Sequence, residues 1–214
     1  MNKRNLLAFS GFIYIVVWVI GLLIPTGTIS PSMSNAELQQ VLLANQKARM
    51  LQVYLIDGIA GISILLFAAA VASLFRKLAD KNEALVSMVL GAGIAAGSIS
   101  LVQAGVQQAL VNQELLAAAD TPFRMLLVLV NQIDIFKLMA LALLGVSTSV
   151  LGLRTRLIPA WINWLGILLT IALILGGLSF AFTNSMLTAI LFASLPMLLI
   201  WVGAVSATGM RQVK

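Results

Sequence analysis

The stretch "RMLLVLVNQIDIFKLMALALLGVSTSVLG", residues 124–152, decides the fold. It is longer than the roughly 20 apolar residues an α-helix needs to cross a bilayer, and no proline breaks it. Yet Asp134 and Lys137 sit three residues apart inside it. A charge at the centre of a membrane-spanning helix costs about 2.5 to 3.5 kcal/mol on insertion scales, so it is paired, protonated or turned toward water. The two residues are either packing glue or the working site.

The whole chain fits that environment. Its 214 residues are 61% hydrophobic and 9% charged, with a mean hydropathy of +1.05, which is the composition of a membrane protein. With neither cysteine nor histidine in the sequence, disulfides, thiolate chemistry, imidazole ligation of metal or haem, and any histidine-based triad are excluded. No cofactor and no metal site are expected. The net charge of +6 is spread over short loops between apolar runs, which speaks against nucleic acid and for a topology signal.

Six segments are long and apolar enough to span, at about 6–24, 51–75, 85–111, 124–152, 160–182 and 186–208. The expected fold is therefore all-α: one integral membrane domain over 1–214, a polytopic bundle of six transmembrane helices. Lys3 and Arg4 before the first run resemble a signal peptide, but the run exceeds a usual apolar core and lacks a small-x-small site, so it reads as a retained span. If the N-terminus is cytoplasmic, the inside segments carry Lys3, Arg4, Arg76, Lys77, Lys81, Arg154, Arg156, Arg211 and Lys214. The outside segments carry Lys47, Arg49 and Arg124. Nine against three places both termini inside.

Short connections make consecutive spans antiparallel neighbours. The exception is the outside segment 25–50, where Ser34-Asn-Ala-Glu37 matches a capping box ahead of a helix at the membrane face. It reads as a connector, with a lid over an outward cavity as the alternative.

Asn131, Asp134 and Lys137 fall within one third of their helix at about 100° per residue, and Gly145, Thr148 and Gly152 continue that face inward. Span three offers a matching stripe of Gly93, Ala96, Gly97, Ser100, Gln103, Ala104 and Gln107. Threading brings Asp57, Gln103, Gln107, Asn131 and Asp134 to one height in the outer half, with Lys137 nearer the midplane. The expected site is a polar pocket open to the outside and floored by small residues. If Asp134 and Lys137 neutralise each other, Asp57 is left unmatched, and a lone buried carboxyl takes up a proton, as a proton-coupled site or general acid would. The alternative is that these side chains only glue helices together.

Elsewhere Gly93-x-x-x-Gly97 reads as a packing motif. Trp18, Trp161 and Trp164 read as interfacial anchors, and Pro196 as a kink in span six. "DGIAG" (57–61) shares only its first residues with membrane alcohol phosphotransferases, and no phosphate-cradling loop is present.

The stretches "LAFSGFIYIVVWVIGLLIP" (7–25), "ELQQVLLANQKAR" (37–49), "LFRKL" (74–78) and "LRTRLIPAWINWLGILL" (153–169) carry a resemblance over most of the chain. The layout resembles the bacterial six-span membrane proteins grouped as domain of unknown function 4386, the most specific piece being Arg156-x-x-Pro-x-Trp-x-x-Trp-Leu-Gly166. That resemblance implies a bacterial plasma membrane and brings no catalytic residues. Three readings follow. The first is binding or transport of a small molecule, ion or lipid-like ligand through Asp57, Gln103, Gln107, Asn131, Asp134 and Lys137. The second is a cofactor-free membrane enzyme using carboxyl acid catalysis on an apolar substrate, and the third a non-catalytic partner subunit. The first is preferred, and an enzyme is not the favoured class.

Overall fold

A computed structural model describes residues 3–29, 33–76, 82–117, 123–182 and 184–211. Every regular element among them is helical. Six helices are long and apolar enough to cross a membrane: Leu6–Leu23, Gln46–Phe75, Glu83–Leu110, Phe123–Thr155, Ala160–Phe180 and Ser185–Thr208. They are called spans one to six. The chain forms a multi-pass helical membrane protein, as its apolar runs require. An even number of spans returns both termini to one end of the bundle, the terminal end, opposite the far end. Of the residues used to orient the chain, Lys77, Lys81 and Lys214 lie outside the described residues.

Each span packs against its neighbours in sequence, and the first packs against the last, so the six close into a ring in chain order. Small residues set how closely the walls approach. A side chain on Gly97 would meet the Gly61 carbonyl of span two at 2.7 Å, and one on Gly93 would collide with Ala68. Gly145 lies against Thr170 and Gly166, and Gly152 against Asn163, all three of span five. The Gly93-x-x-x-Gly97 packing reading therefore describes the span two to span three contact. The inward face of span four is as expected, with Gly145, Thr148 and Gly152 all buried.

In the terminal half the ring axis is filled. Phe67, Phe75, Leu144, Leu151, Ile162 and Trp201 are almost fully buried there, and Phe67 meets Trp201 edge-on with centroids 6.0 Å apart. Trp161 and Trp164, on the outer surface of span five, are 61% and 62% exposed, as interfacial anchors would be.

The far end is held differently, by a short helix, Asn35–Ala44, and by long amides. Ser34 and Glu37 form the expected capping box: the Ser34 amide donates to Glu37 Oε2 at 2.7 Å and the Glu37 amide to Ser34 Oγ at 3.3 Å. The Ser34 amide and the Ser34 hydroxyl, which also donates to Glu37 Oε2, hold the Glu37 carboxyl below the usual carboxylate range. Asn45 ends this helix and begins span two, which starts at Gln46, five residues before the boundary read from hydropathy alone. Carbonyls at helix ends and turns receive glutamine side chains: Gln39 donates to Leu116 O, Gln46 to Val111 O at 2.7 Å, and Gln52 to Gly21 O at 3.0 Å. Leu42 joins Leu110, Val111, Leu116, Phe123 and Val130 in a second apolar cluster over the ends of spans three and four. This is a clamp on the bundle, which fits the connector reading of 25–50 better than the lid.

If these glycine contacts set the ring, Gly97→Leu should lower thermal stability in detergent by an amount typical of overpacking, about 1 to 3 kcal/mol. Gly91→Leu, where an added side chain meets nothing within 4 Å, should leave the melting temperature nearly unchanged.

Candidate functional site

The far half of the ring axis is not filled. It holds an open cavity of about 250 Å³ to which all six spans contribute. One wall is polar and comes from spans two, three and four: Gln52, Asp57, Gln103, Gln107, Asp134 and Lys137. The other is apolar and comes from Trp18 of span one, Phe180 of span five, and Leu191, Phe192, Leu195 and Leu198 of span six.

Lys137 is the centre of the polar wall. Buried to 8% exposure, its ammonium lies 2.7 Å from Asp134 Oδ1 and 3.0 Å from Asp57 Oδ1, and donates to Gln103 Oε1 at 2.6 Å. Three acceptors account for all three of its N–H donors. Gln107 donates to the remaining Asp57 oxygen, Oδ2, at 2.8 Å. One lysine thus ties span four to spans two and three and offsets the desolvation of a buried charge with charge-assisted bonds.

Asp57 is therefore not the unmatched carboxyl expected from a closed Asp134–Lys137 pair. An i, i+3 partner leaves two of the ammonium's three donors unused, and the approach of spans two and three through their small residues brings Asp57 and Gln103 within reach of them. The two aspartates share one cation, so the cluster keeps a formal charge of minus one. Asp134 is the more open of the two carboxyls. Its side chain is 24% exposed, and its second oxygen has no partner among the described residues.

Five of the six residues named for the site come together as expected, and Asn131 does not. It is exposed and absent from the cavity lining, because it sits about 120° around the helix from Lys137 and nearly two turns farther out. The floor also differs. Leu138, Leu141 and Leu198 close the cavity toward the terminal half, while the small residues lie at the span contacts, where close packing uses them. Trp18 is a wall of the cavity, stacked at a tilt 6.4 Å from Tyr14, rather than a simple surface anchor.

Two features had no signal in the sequence. Asp57 lies in a π-helical turn, Tyr54–Ile59, in which the Ala60 amide reaches back to Leu55 O; such turns recur at functional sites. The apolar wall is made of leucines and aromatics that read like lipid-facing residues. Among the described residues no three acidic side chains gather as a metal ion would need.

No family model matches this chain, and no curated protein or solved structure matches it either.

Stability should respond to the sharing. Lys137→Met leaves the buried Asp57 and the half-buried Asp134 without a cation and should cost the most, about 3 to 5 kcal/mol. Asp134→Asn and Asp57→Asn each leave Lys137 one carboxylate and should cost less. Thermal unfolding in detergent of these variants, and of the triple variant, checks the order. The triple should recover most of the loss, since no uncompensated charge remains.

Proposed function

We propose that this membrane protein binds a small molecule or ion in the far-half cavity, with the polar wall of Asp57, Gln103, Gln107, Asp134 and Lys137 as the recognition surface. The observation that carries the reading is the second carboxylate on one cation: Asp134 lines the cavity to which all six spans contribute, and only one of its oxygens meets Lys137. A charge retained only as glue would be matched one to one, because each unmatched buried charge costs stability. The cavity lies in the half of the bundle away from the termini. The bias of Lys and Arg toward the terminal-end segments supports cytoplasmic termini, and with them a site in the outer half of the membrane. The resemblance carried by Arg156 to Gly166 supports a bacterial plasma membrane and membership of the domain of unknown function 4386 group.

Transport through the same site requires the filled terminal half to open, whereas binding requires nothing further. Carboxyl acid catalysis has less support. As an acid, Asp57 needs an O–H directed into the cavity, while both of its oxygens accept hydrogen bonds from Lys137 and Gln107. Only Asp134 keeps an oxygen free for such a role.

A ligand bound to the folded state raises stability by about 2.7 kcal/mol at a concentration of 100 Kd. Melting temperatures against a panel of organic cations, anions, neutral solutes and lipids should yield a stabilising compound whose effect is lost in Asp134→Asn and kept in Gln113→Ala, an exposed far-end change. A panel in which every shift is indifferent to Asp134→Asn removes the reading.

A further inference from the structure

The ring closes where span one meets span six, and the two halves of that seam differ. In the terminal half it is tight: an added side chain on Gly11 would collide with Ser206, and one on Gly203 would meet Ile15 at 3.1 Å. In the far half, Trp18 and Phe192 both line the cavity, and Phe192 is nonetheless 67% exposed. Met186 on the same stretch is 71% exposed, and Leu22 on span one 53%. A side chain that faces the cavity and the membrane at once marks an edge of an opening. In a six-membered ring in chain order, the seam between spans six and one stands opposite spans three and four, which carry Gln103, Gln107, Asp134 and Lys137.

We infer that the cavity opens sideways into the bilayer between Trp18 and Phe192 and takes an amphiphile with a protonated amine on an apolar chain. The amine lies against Asp134, and the chain leaves through the opening between spans one and six. The inference rests on the binding reading and specifies its ligand. Charge selects the head group. The cluster is one negative charge in excess, and Lys137 has no donor left to receive a phosphate, sulfate or carboxylate. Size selects the arrangement. A cavity of about 250 Å³ is below the roughly 300 to 1,000 Å³ that encloses a drug-sized ligand. It holds a head group and the start of a chain, and the remainder stays in lipid, where its burial costs nothing. The leucine and phenylalanine wall of span six guides the chain outward. Entry from the membrane also removes any need for a wide aqueous mouth at the clamped far end.

Trp18 reports occupancy directly. In a Trp161→Phe, Trp164→Phe background, which removes the two exposed tryptophans at the terminal end and leaves the buried Trp201 as internal reference, fluorescence is read in vesicles. The probes are a chain-brominated alkylamine and the alkyl sulfate and alkyl alcohol of the same chain. The amine should quench Trp18 saturably. Asp134→Asn should weaken its binding by about thirtyfold, the lower end of what is seen when one partner of a buried charge pair is removed. Phe192→Ala, a change at an exposed position that leaves the fold intact, should weaken it severalfold. The sulfate and alcohol should quench only in proportion to their membrane concentration. A further arm with chain-brominated phosphatidylethanolamine separates the sources of the amine: saturable, Asp134-dependent quenching assigns it to the membrane's own lipid, and its absence assigns it to single-chain amphiphiles. Saturation by sulfate or alcohol as tight as by amine overturns the cationic class while the binding reading stands. Unchanged amine affinity in Phe192→Ala overturns the side opening, even where Asp134→Asn fails to fold. No saturable quenching by any probe overturns both readings.

Discussion

One ammonium group, on Lys137, holds the polar half of this bundle together. A lysine near the middle of a membrane-spanning helix has few ways to remain, and here it uses every donor it has on acceptors from three spans. That constraint fixes much else. Span three must present Gln103 to span four, and span two must turn Asp57 toward the same point, with Gln107 closing its far oxygen. The stripe of Gly93, Gly97 and Gly61 lets spans two and three come close enough for this to happen. Packing in the terminal half thus sets the reach of the charges in the far half.

The ring has a division of labour along its axis. Where the small residues and the large buried aromatics lie, the axis is closed and the helices are in van der Waals contact. Where the charges lie, the helices are held by directional bonds, and a space remains between the polar wall and the leucines of span six. Clamping of the far end by Gln39, Gln46 and Gln52 keeps that space from collapsing without filling it. A six-span ring in chain order needs only one seam between elements distant in sequence, that of spans one and six. That seam is tight in its terminal half, where Gly11 faces Ser206 and Gly203 faces Ile15.

Much of this was legible before any coordinates. Span positions follow from hydropathy because the bilayer demands length and apolarity and little more. The capping box of Ser34 and Glu37 is a local rule with a local outcome, and the inward face of span four follows from helical period. What periodicity cannot supply is distance across the bundle. It placed Asp134 and Lys137 on one face but could not say that Lys137 would reach Asp57 as well, so the pairing expected for Asp57 was wrong. Asn131 shared the same arc at its edge, and an arc of 120° is wide enough to include a residue that faces outward. The apolar wall was invisible for a different reason. In a membrane protein a leucine facing a cavity and one facing lipid carry the same hydropathy, so Phe192 and Leu195 gave no sign of their position. The π-helical turn at Tyr54–Ile59 left no mark in composition at all.

The shared lysine is the claim on which the rest depends, and its distances can be measured in bilayers. With Lys137 side-chain nitrogen and aspartate carboxyl carbons isotopically labelled, solid-state dipolar recoupling reads the separation of Nζ from each carboxyl. Two close contacts, one assigned to Asp134 and one lost in Asp57→Asn, are the expected result. A single contact, to Asp134 alone, would reduce the cluster to a local pair on span four, leave Asp57 without its cation, and contradict the account.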